Sequence, residues 1–385
     1  MSRLQIYDPR ERALVATGDV LLAAGASLAR PFRRRRPPRD PARVLLLRLE
    51  RIGDLLMALP GVAAVRALAP QARIDLVVGS WNEDLARAIP FVDTVETLDA
   101  AWLARRGEGL KVPALVGAAR RWRQRHYDLA INFEPDVRSN LMIAVAGASW
   151  AAGYRSAGGG ALLDQALDYD PRAHTTDNAV RLVSTVFGSA AQSSSHSLLT
   201  IPEEHRRRAE AIVGTRLGPL IALHVSGGRP VKQWPPERFA EVARQLAVER
   251  RATILLTGSP ADRPLIDEVT RGLPAGSYVD TSTADNLLTV AALLAQADLL
   301  ITGDTGPMHL AAAVGTPIVA VFGPSDPRRY APRGPHDRVV RVDLACAPCN
   351  RIRLPPARCR VGTPDCLMGV SIAAVLQAAN QVLDR

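Results

Sequence analysis

Leu299-Leu300-Ile301-Thr302-Gly303-Asp304-Thr305-Gly306-Pro307-Met308-His309-Leu310-Ala311-Ala312-Ala313-Val314-Gly315-Thr316-Pro317 is the stretch on which the reading of the fold turns. An apolar run from Ala297 to Ile301 reads as a buried strand. It breaks at two glycines and restarts as an Ala/Leu-rich helix that stops at Gly315, before Pro317. A second apolar run, Ile318 to Phe322, ends at Gly323-Pro324. Strand, tight turn, helix, strand is one unit of a parallel sheet. The turn closes a strand and opens a helix, where unpaired N–H groups and the helix dipole favour an anion. Thr305 adds a hydroxyl, His309 a potential cation, and Asp304 a carboxylate suited to a polar edge or a ribose. A loop that merely connects two elements accounts for the same residues, so the stretch alone does not choose.

Working outward, 385 residues suffice for two α/β domains, since one core rarely grows beyond about 250–300 residues. The chain is 47% hydrophobic and 22% charged, ordinary values for a globular protein. Its net charge of +10 is carried by arginine: only Lys111 and Lys232 among the 48 basic residues are lysines. A compact ammonium is not a guanidinium fork, which draws attention to both lysines. Arg30, Arg33, Arg34, Arg35, Arg36 and Arg39 crowd one Pro-rich segment, as a solvated linker or as a contact for an anionic surface. No secretory signal is evident, because the basic cluster follows the apolar stretch. Leu14 to Leu28 is too short and too interrupted to span a bilayer. The expectation is a cytoplasmic protein, with peripheral contact on a membrane surface left open.

Residues 10–32 suit a helix with Leu14, Gly18, Leu21, Leu22, Gly25, Leu28 and Phe32 on one face, either an interfacial helix beside the arginines or one packed on the protein's own surface. Val44 to Leu47 reads as a buried strand running through Arg48…Gly53-Asp54 into a helix, the same strand–turn–helix form as the opening stretch. Further strands are expected at Ile74 to Val78, Thr94 to Leu98 and Leu129 to Asn132, with helices at Pro113 to Arg125, Arg138 to Ala146 and Asp177 to Phe187. Gly188 to Ser197 is poor in apolar residues, and the linker is placed near 188–205. A second alternation begins with the strand Leu220 to His224 and a helix at Pro236 to Arg250. It continues with the strand Thr253 to Thr257 and helices at Arg263 to Arg271 and 286–295. Such alternation argues for two doubly wound parallel sheets, and the interval between two such domains is a preferred place for a ligand.

Three strand-end turns of the second half suit a nucleotide. In His224-Val225-Ser226-Gly227-Gly228-Arg229-Pro230-Val231-Lys232-Gln233-Trp234 the glycines allow close backbone approach, and Ser226 and Lys232 can hold phosphate oxygens. In Thr257-Gly258-Ser259-Pro260-Ala261-Asp262, Asp262 bonds a ribose hydroxyl or caps the next helix. The opening stretch is the third. None matches the P-loop or dinucleotide fingerprints, which argues against an ATPase or a dehydrogenase. In the first half Asp54 is either a helix cap or a general base that accepts a hydroxyl proton. Arg48, Arg51 and Arg138 are candidates to bind an anionic acceptor.

Arg48…Gly53-Asp54…Leu59-Pro60 resembles the amino-terminal signature of the ADP-heptose:lipopolysaccharide heptosyltransferases, glycosyltransferase family 9. Tyr127-Asp128-Leu129-Ala130-Ile131-Asn132 with Arg138-Ser139 resembles the family's next block. Lys232-Gln233-Trp234-Pro235 and Gly303-Asp304-Thr305-Gly306-Pro307-Met308-His309 resemble its nucleotide-sugar blocks. The resemblance runs from about residue 42 to the C-terminus. It implies an α/β GT-B fold, two Rossmann-like domains facing across a cleft, and an inverting transfer with no obligatory metal or cofactor. The implied divisions are a basic extension at 1–40, an acceptor-binding domain at 41–200 and a nucleotide-sugar-binding domain at 201–370. A closing helix at 371–385 is expected to pack back on the first domain. Carried over by residue, Asp54 activates the acceptor hydroxyl, Lys232 and Ser226 hold the diphosphate, and Asp304, Thr305, Gly306 and His309 hold the nucleotide end. The implied partners are ADP-heptose and a lipopolysaccharide core acceptor, and not nucleic acid.

The chain departs from that pattern in its basic extension, in Gly227-Gly228-Arg229, and in Cys346, Cys349, Cys359 and Cys366. The Cys-x2-Cys spacing is metal-like and the x6 pair is unusual for zinc, so structural zinc, free thiols and a disulfide all stand. Asp168-Tyr169-Asp170 spells the D-x-D of metal-dependent transferases but falls near the linker and reads as chance. The rival readings are the same fold with another nucleotide sugar, and a basic nucleic-acid binder. With 4% aromatics and no recognised module, the second has little support.

Overall fold

A computed structural model describes residues 4–6, 8–29, 36–103, 109–190, 198–284, 286–349 and 358–385, the side chains of 26–29 excepted. The chain divides into two compact units, the change-over falling between Leu198 and Leu199. In the first, β1 (Arg43–Arg48), β2 (Arg73–Val78), β3 (Thr94–Thr97), β4 (Leu129–Asn132), β5 (Trp150–Tyr154) and β6 (Gln165–Leu167) form one sheet of order β3-β2-β1-β4-β5-β6. The second unit repeats that order with β7 (Leu220–His224), β8 (Thr253–Thr257), β9 (Tyr278–Asp280), β10 (Leu299–Gly303), β11 (Ile318–Phe322) and β12 (Arg338–Arg341), arranged β12-β11-β10-β7-β8-β9. All ladders are parallel. Helices cover parallel sheets on both faces, so central strands are apolar on both sides, and Val44 to Leu47 and Ile318 to Phe322 are buried throughout. Each sheet has its switch point between its first and fourth strands, where ligands of such folds bind at the carboxyl ends.

The helix Ile52–Leu68 continues through Pro60. Gly61 lies in its contact with the helix Thr175–Phe187: a Cβ there would sit 3.1 Å from that of Ala179. The opening stretch forms β10 and the helix Gly306–Val314, and the strand begins at Leu299 because Ala297 and Asp298 still belong to the turn. The linker expectation is too long by its last residues, since Glu203–Val213 is a helix that packs on the helix Leu287–Gln296.

Each terminal helix packs within its own unit. The closing helix, Ile372–Leu383, belongs to the second. It lies against the helix Pro236–Glu249 and the strands β10 to β12, burying Val375, Ala379 and Val382 in the same core as Trp234 and Phe239. Arg250 fixes its end through Asp384 (2.5 Å) and Asn380 (3.0 Å). The N-terminal helix, Pro9–Ala29, does not gather its apolar residues on one face. Gly18 and Leu22 are half-buried together with Val15 and Asp19, whereas Leu14 and Leu21 are 75% and 70% exposed. Val15 fills the space over Gly158, and the Gly159 N–H donates to Asp19 Oδ1 at 2.5 Å, so this helix is docked on the first unit. The Leu28 side chain, Phe32, Arg30 and Arg33 to Arg35 lie outside the described residues. Among the described residues no helix is long and apolar enough to cross a membrane.

Candidate active site

The first switch point is built from the turns after β1 and β4. Asp54 lies in the first turn of the helix Ile52–Leu68, its side chain about a third exposed (34%). Arg48, the last residue of β1, is only 3% exposed. Its Nε donates to the Asp54 carbonyl at 3.1 Å and its Nη1 to the Phe133 carbonyl at 2.6 Å. Nη1 also meets Glu50 at 2.8 Å, and Nη2 lies 3.5 Å from Asp54 Oδ1. Burial works against the guanidinium charge, but Glu50, Asp54 and Glu134 together more than offset it, and its pKa is raised. Arg48 therefore reaches inward to hold the turn that carries Asp54.

Glu134, absent from the sequence reading, sits beneath that turn and is 1% exposed. Its Oε1 accepts the N–H of Leu49, and that of Glu50 at 2.9 Å. Its own N–H donates to Asn132 Oδ1 (3.0 Å), and Asn132 Nδ2 donates to Asn140 Oδ1 (2.8 Å) and Ser139 Oγ (3.0 Å). From the other side, Trp81 Nε1 and Asn82 Nδ2 donate to the Glu50 carbonyl at 3.0 and 2.8 Å. Burial, followed by the neighbouring Glu50 carboxylate, pushes the Glu134 carboxyl up to about 8. Of the other expected acceptor residues, Arg138 is held by Asp136 (2.7 Å) and lies over the Trp102 ring at 4.3 Å. Arg51 is exposed at the N-cap of the Asp54 helix. The D-x-D acids serve local structure: Asp168 pairs with Arg155 (2.7 Å) and Asp170 accepts from the Arg172 N–H (2.9 Å).

At the second switch point the loop after β7 meets the loop after β10. Lys232, closing the short turn Pro230–Lys232, places Nζ 2.6 Å from Asp304 Oδ2, with side chains only 15% and 10% exposed. His309 Nε2 lies 4.0 Å from Asp304 Oδ1. Burial pushes the Asp304 carboxyl up, but Lys232, His309 and a bond from Ser325 outweigh it and leave it below the usual carboxylate range. Thr305 is the N-cap of the helix Gly306–Val314, its hydroxyl 3.2 Å from that of Thr302. Lys232, Asp304, Thr305, Gly306 and His309 thus converge at the amino end of one helix. Ser226 and Asp262 form a second group: Ser226 donates to Asp262, whose Oδ2 also accepts from the Ser259 N–H (2.8 Å) and Oγ (2.7 Å). That is a capping box on the short turn Pro260–Asp262; toward the following helix, Arg263–Thr270, Asp262 makes no side-chain cap bond.

Two expectations in this loop have other causes. Gly227 admits the chain's own backbone, since a Cβ there would fall 2.7 Å from Gln233 Cα. Trp234 is a core anchor, 1% exposed, edge-on to Phe239 and donating to the Val370 carbonyl at 3.1 Å. None of the four cysteines is joined in a disulfide; burial raises the pKa of Cys349 and Cys366, with neighbouring cysteines adding to it. Among the described residues no group of three or more His, Cys, Asp or Glu is arranged to hold a metal.

The model of glycosyltransferase family 9 (heptosyltransferase) matches residues 117–355, which take in the turn after β4 and the whole second switch point. The chain belongs to glycosyltransferase family 9. This transferase is 26% identical over 310 residues to the lipopolysaccharide core heptosyltransferase OpsX of Haemophilus influenzae, covering 78% of this chain and 85% of that one. It is 24% identical over 315 residues to lipopolysaccharide heptosyltransferase 2 of Escherichia coli, covering 78% and 88%. Among solved structures, a family 9 glycosyltransferase from Veillonella parvula matches with a TM-score of 0.75 at 24% identity, covering 91% of this chain and 99% of that one. The E. coli ADP-heptose lps heptosyltransferase II matches at 0.70 and 23% identity, over 89% and 98%. The transferase has the GT-B fold.

Proposed function

We propose that this transferase moves a heptose from ADP-heptose to a hydroxyl of a lipopolysaccharide inner-core acceptor, with inversion at the anomeric carbon. The observation that carries the reading is the buried Lys232–Asp304 pair joining the β7 and β10 loops at the amino end of a helix. An ammonium and fixed N–H groups there suit a nucleoside diphosphate. The donor assignment draws support from the E. coli heptosyltransferase structures described with ADP and with an ADP-fluoroheptose, and the acceptor from the names of OpsX and its relatives. In this reading the acceptor oxygen attacks the anomeric carbon, the bond from that carbon to the diphosphate oxygen breaks, and ADP departs. Asp54 takes the hydroxyl proton. Negative charge grows on the departing diphosphate, where Lys232 and the 303–309 loop stabilise it, with His309 and Ser226 beside them. Arg51 and Arg138 face the acceptor's phosphates.

The acceptor is lipid-borne, and Leu14, Val20 and Leu21 present an apolar outer face on the N-terminal helix beside a basic segment. The reading therefore includes peripheral contact with an anionic leaflet. Calorimetry with ADP and UDP tests the donor assignment: ADP alone should bind, and binding should weaken at least tenfold in Lys232→Ala. Equal binding of UDP would redirect the reading to another nucleotide sugar.

A further inference from the structure

We infer that Arg48 and Glu134 are positioning residues that together fix the Asp54 carboxylate in its working orientation, an inference that rests on the reading of Asp54 as general base. Asp54 sits on a turn whose residues 49 and 50 have no ladder partner for their N–H groups beyond β1. One buried carboxyl oxygen, Glu134 Oε1, accepts both. Arg48 completes the clamp, binding the main chain at Asp54 and Phe133 and reaching toward the Asp54 side chain at 3.5 Å. A buried guanidinium with three fixed partners has few other rotamers, so it holds the turn more firmly than an exposed ion pair does.

The arrangement has a proton at stake. Glu134 is buried against Arg48, Glu50 and Asp136, with Arg138 beyond; Tyr154 and Tyr169 also act on Arg48. Neutral Glu134 leaves the Arg48 charge to Glu50 and Asp54. An ionised Glu134 adds a competing carboxylate and draws the guanidinium away from Asp54. With the carboxyl pushed up to about 8, that exchange falls within an accessible pH range. Glutamine keeps the accepting oxygen and loses the proton, which separates the two roles.

The test is steady-state kinetics from pH 6 to 9.5 with ADP-heptose and a heptose-deficient core acceptor. The enzymes are wild type, Glu134→Gln, Glu134→Leu and Arg48→Lys, each also in an Asp54→Ala background. Glu134→Leu should lower kcat about 10- to 100-fold, with the KM for ADP-heptose within about twofold, because a small displacement of the base has that effect. Glu134→Gln should recover kcat to within about threefold and abolish a decline above about pH 8 that wild type shows. None of the three substitutions should change the residual rate of Asp54→Ala. Loss of activity in Asp54→Ala with Glu134→Leu unimpaired, or an unaltered pH profile in Glu134→Gln, overturns the inference and leaves the base reading standing. Full activity in Asp54→Ala overturns both. Should Glu134→Leu fail to fold, the Glu134→Gln profile decides alone.

Discussion

The two switch points share a scaffold and invert each other's chemistry. Both sheets run in the order 3-2-1-4-5-6 within their unit, and in both the turns after the first and fourth strands meet. In the first unit a buried base, Arg48, holds an acid, Asp54; in the second a buried acid, Asp304, holds a base, Lys232. Each half thus fixes its proposed working residue with an opposite charge that faces away from water. The fold supplies the place, and in the proposed function a few loop side chains decide whether it takes up a proton or a diphosphate.

Breaking either half should have distinct signatures. Asp54→Ala is expected to show the largest effect, a loss of about 10²- to 10⁴-fold in kcat with nucleotide-sugar KM unaltered, measured by steady-state kinetics. A large rise in KM without loss of kcat would place Asp54 among binding groups. Lys232→Met should lower kcat by about 10²- to 10³-fold. It should also destabilise the fold by about 3 kcal/mol at pH 7, because the buried Asp304 loses its ammonium partner and keeps only His309 and the Ser325 bond. The sign of its pH dependence follows from Asp304. Its folded carboxyl lies below the usual range, so the pair's contribution is present above about pH 4 and lost as pH falls through the folded value. The melting curves of wild type and Lys232→Met should therefore approach one another as pH falls below the usual carboxylate range.

Glu134 behaves in the opposite sense. Its folded carboxyl is raised, so its contribution is complete below about pH 4.5 and is lost as pH rises through about 8. Glu134→Gln should melt with a weaker dependence on pH between 6 and 9 than wild type. The smallest effect belongs outside both switch points. Leu14→Asp with Leu21→Asp should weaken binding to vesicles containing anionic lipid by about tenfold or more, while turnover of a soluble acceptor stays unchanged. Unaltered vesicle binding would remove membrane contact from the proposed function.

Much of this was legible in the sequence where burial is two-sided. Val44 to Leu47 and Ile318 to Phe322 could be read as strands because both their faces are covered. The strands that escaped notice lie away from the sheet centres: β5, with Trp-Ala-Ala-Gly-Tyr, and the short β6, β9 and β12, the last alternating Arg-Val-Val-Arg at an edge. Strand-end chemistry was half legible. The glycine turns pointed to Lys232, Asp304, Thr305 and His309, and the structure brings them together. That Arg48 points inward could not be read, since sequence gives a residue type and not where its fork points. Glu134 went unnoticed because its partners, Leu49 and Glu50, lie far away in sequence and meet it only once β1 and β4 pair. Its signal was present in Asn132-Phe133-Glu134-Pro135-Asp136, carboxylates set directly after a buried strand.

The docking of the N-terminal helix has a consequence for any attempt to trim it. Asp19 holds Gly159, and the neighbouring Gly158 carbonyl accepts from Asn140, whose other amide atom takes the bond from Asn132 behind Glu134. A segment that precedes the first sheet is thereby tied, by four contacts in series, to the floor of the turn that carries Asp54. Removing it would strip away more than a foothold on a surface: the turn that carries Asp54 would lose its outermost brace, and a shortened enzyme would be a slacker one.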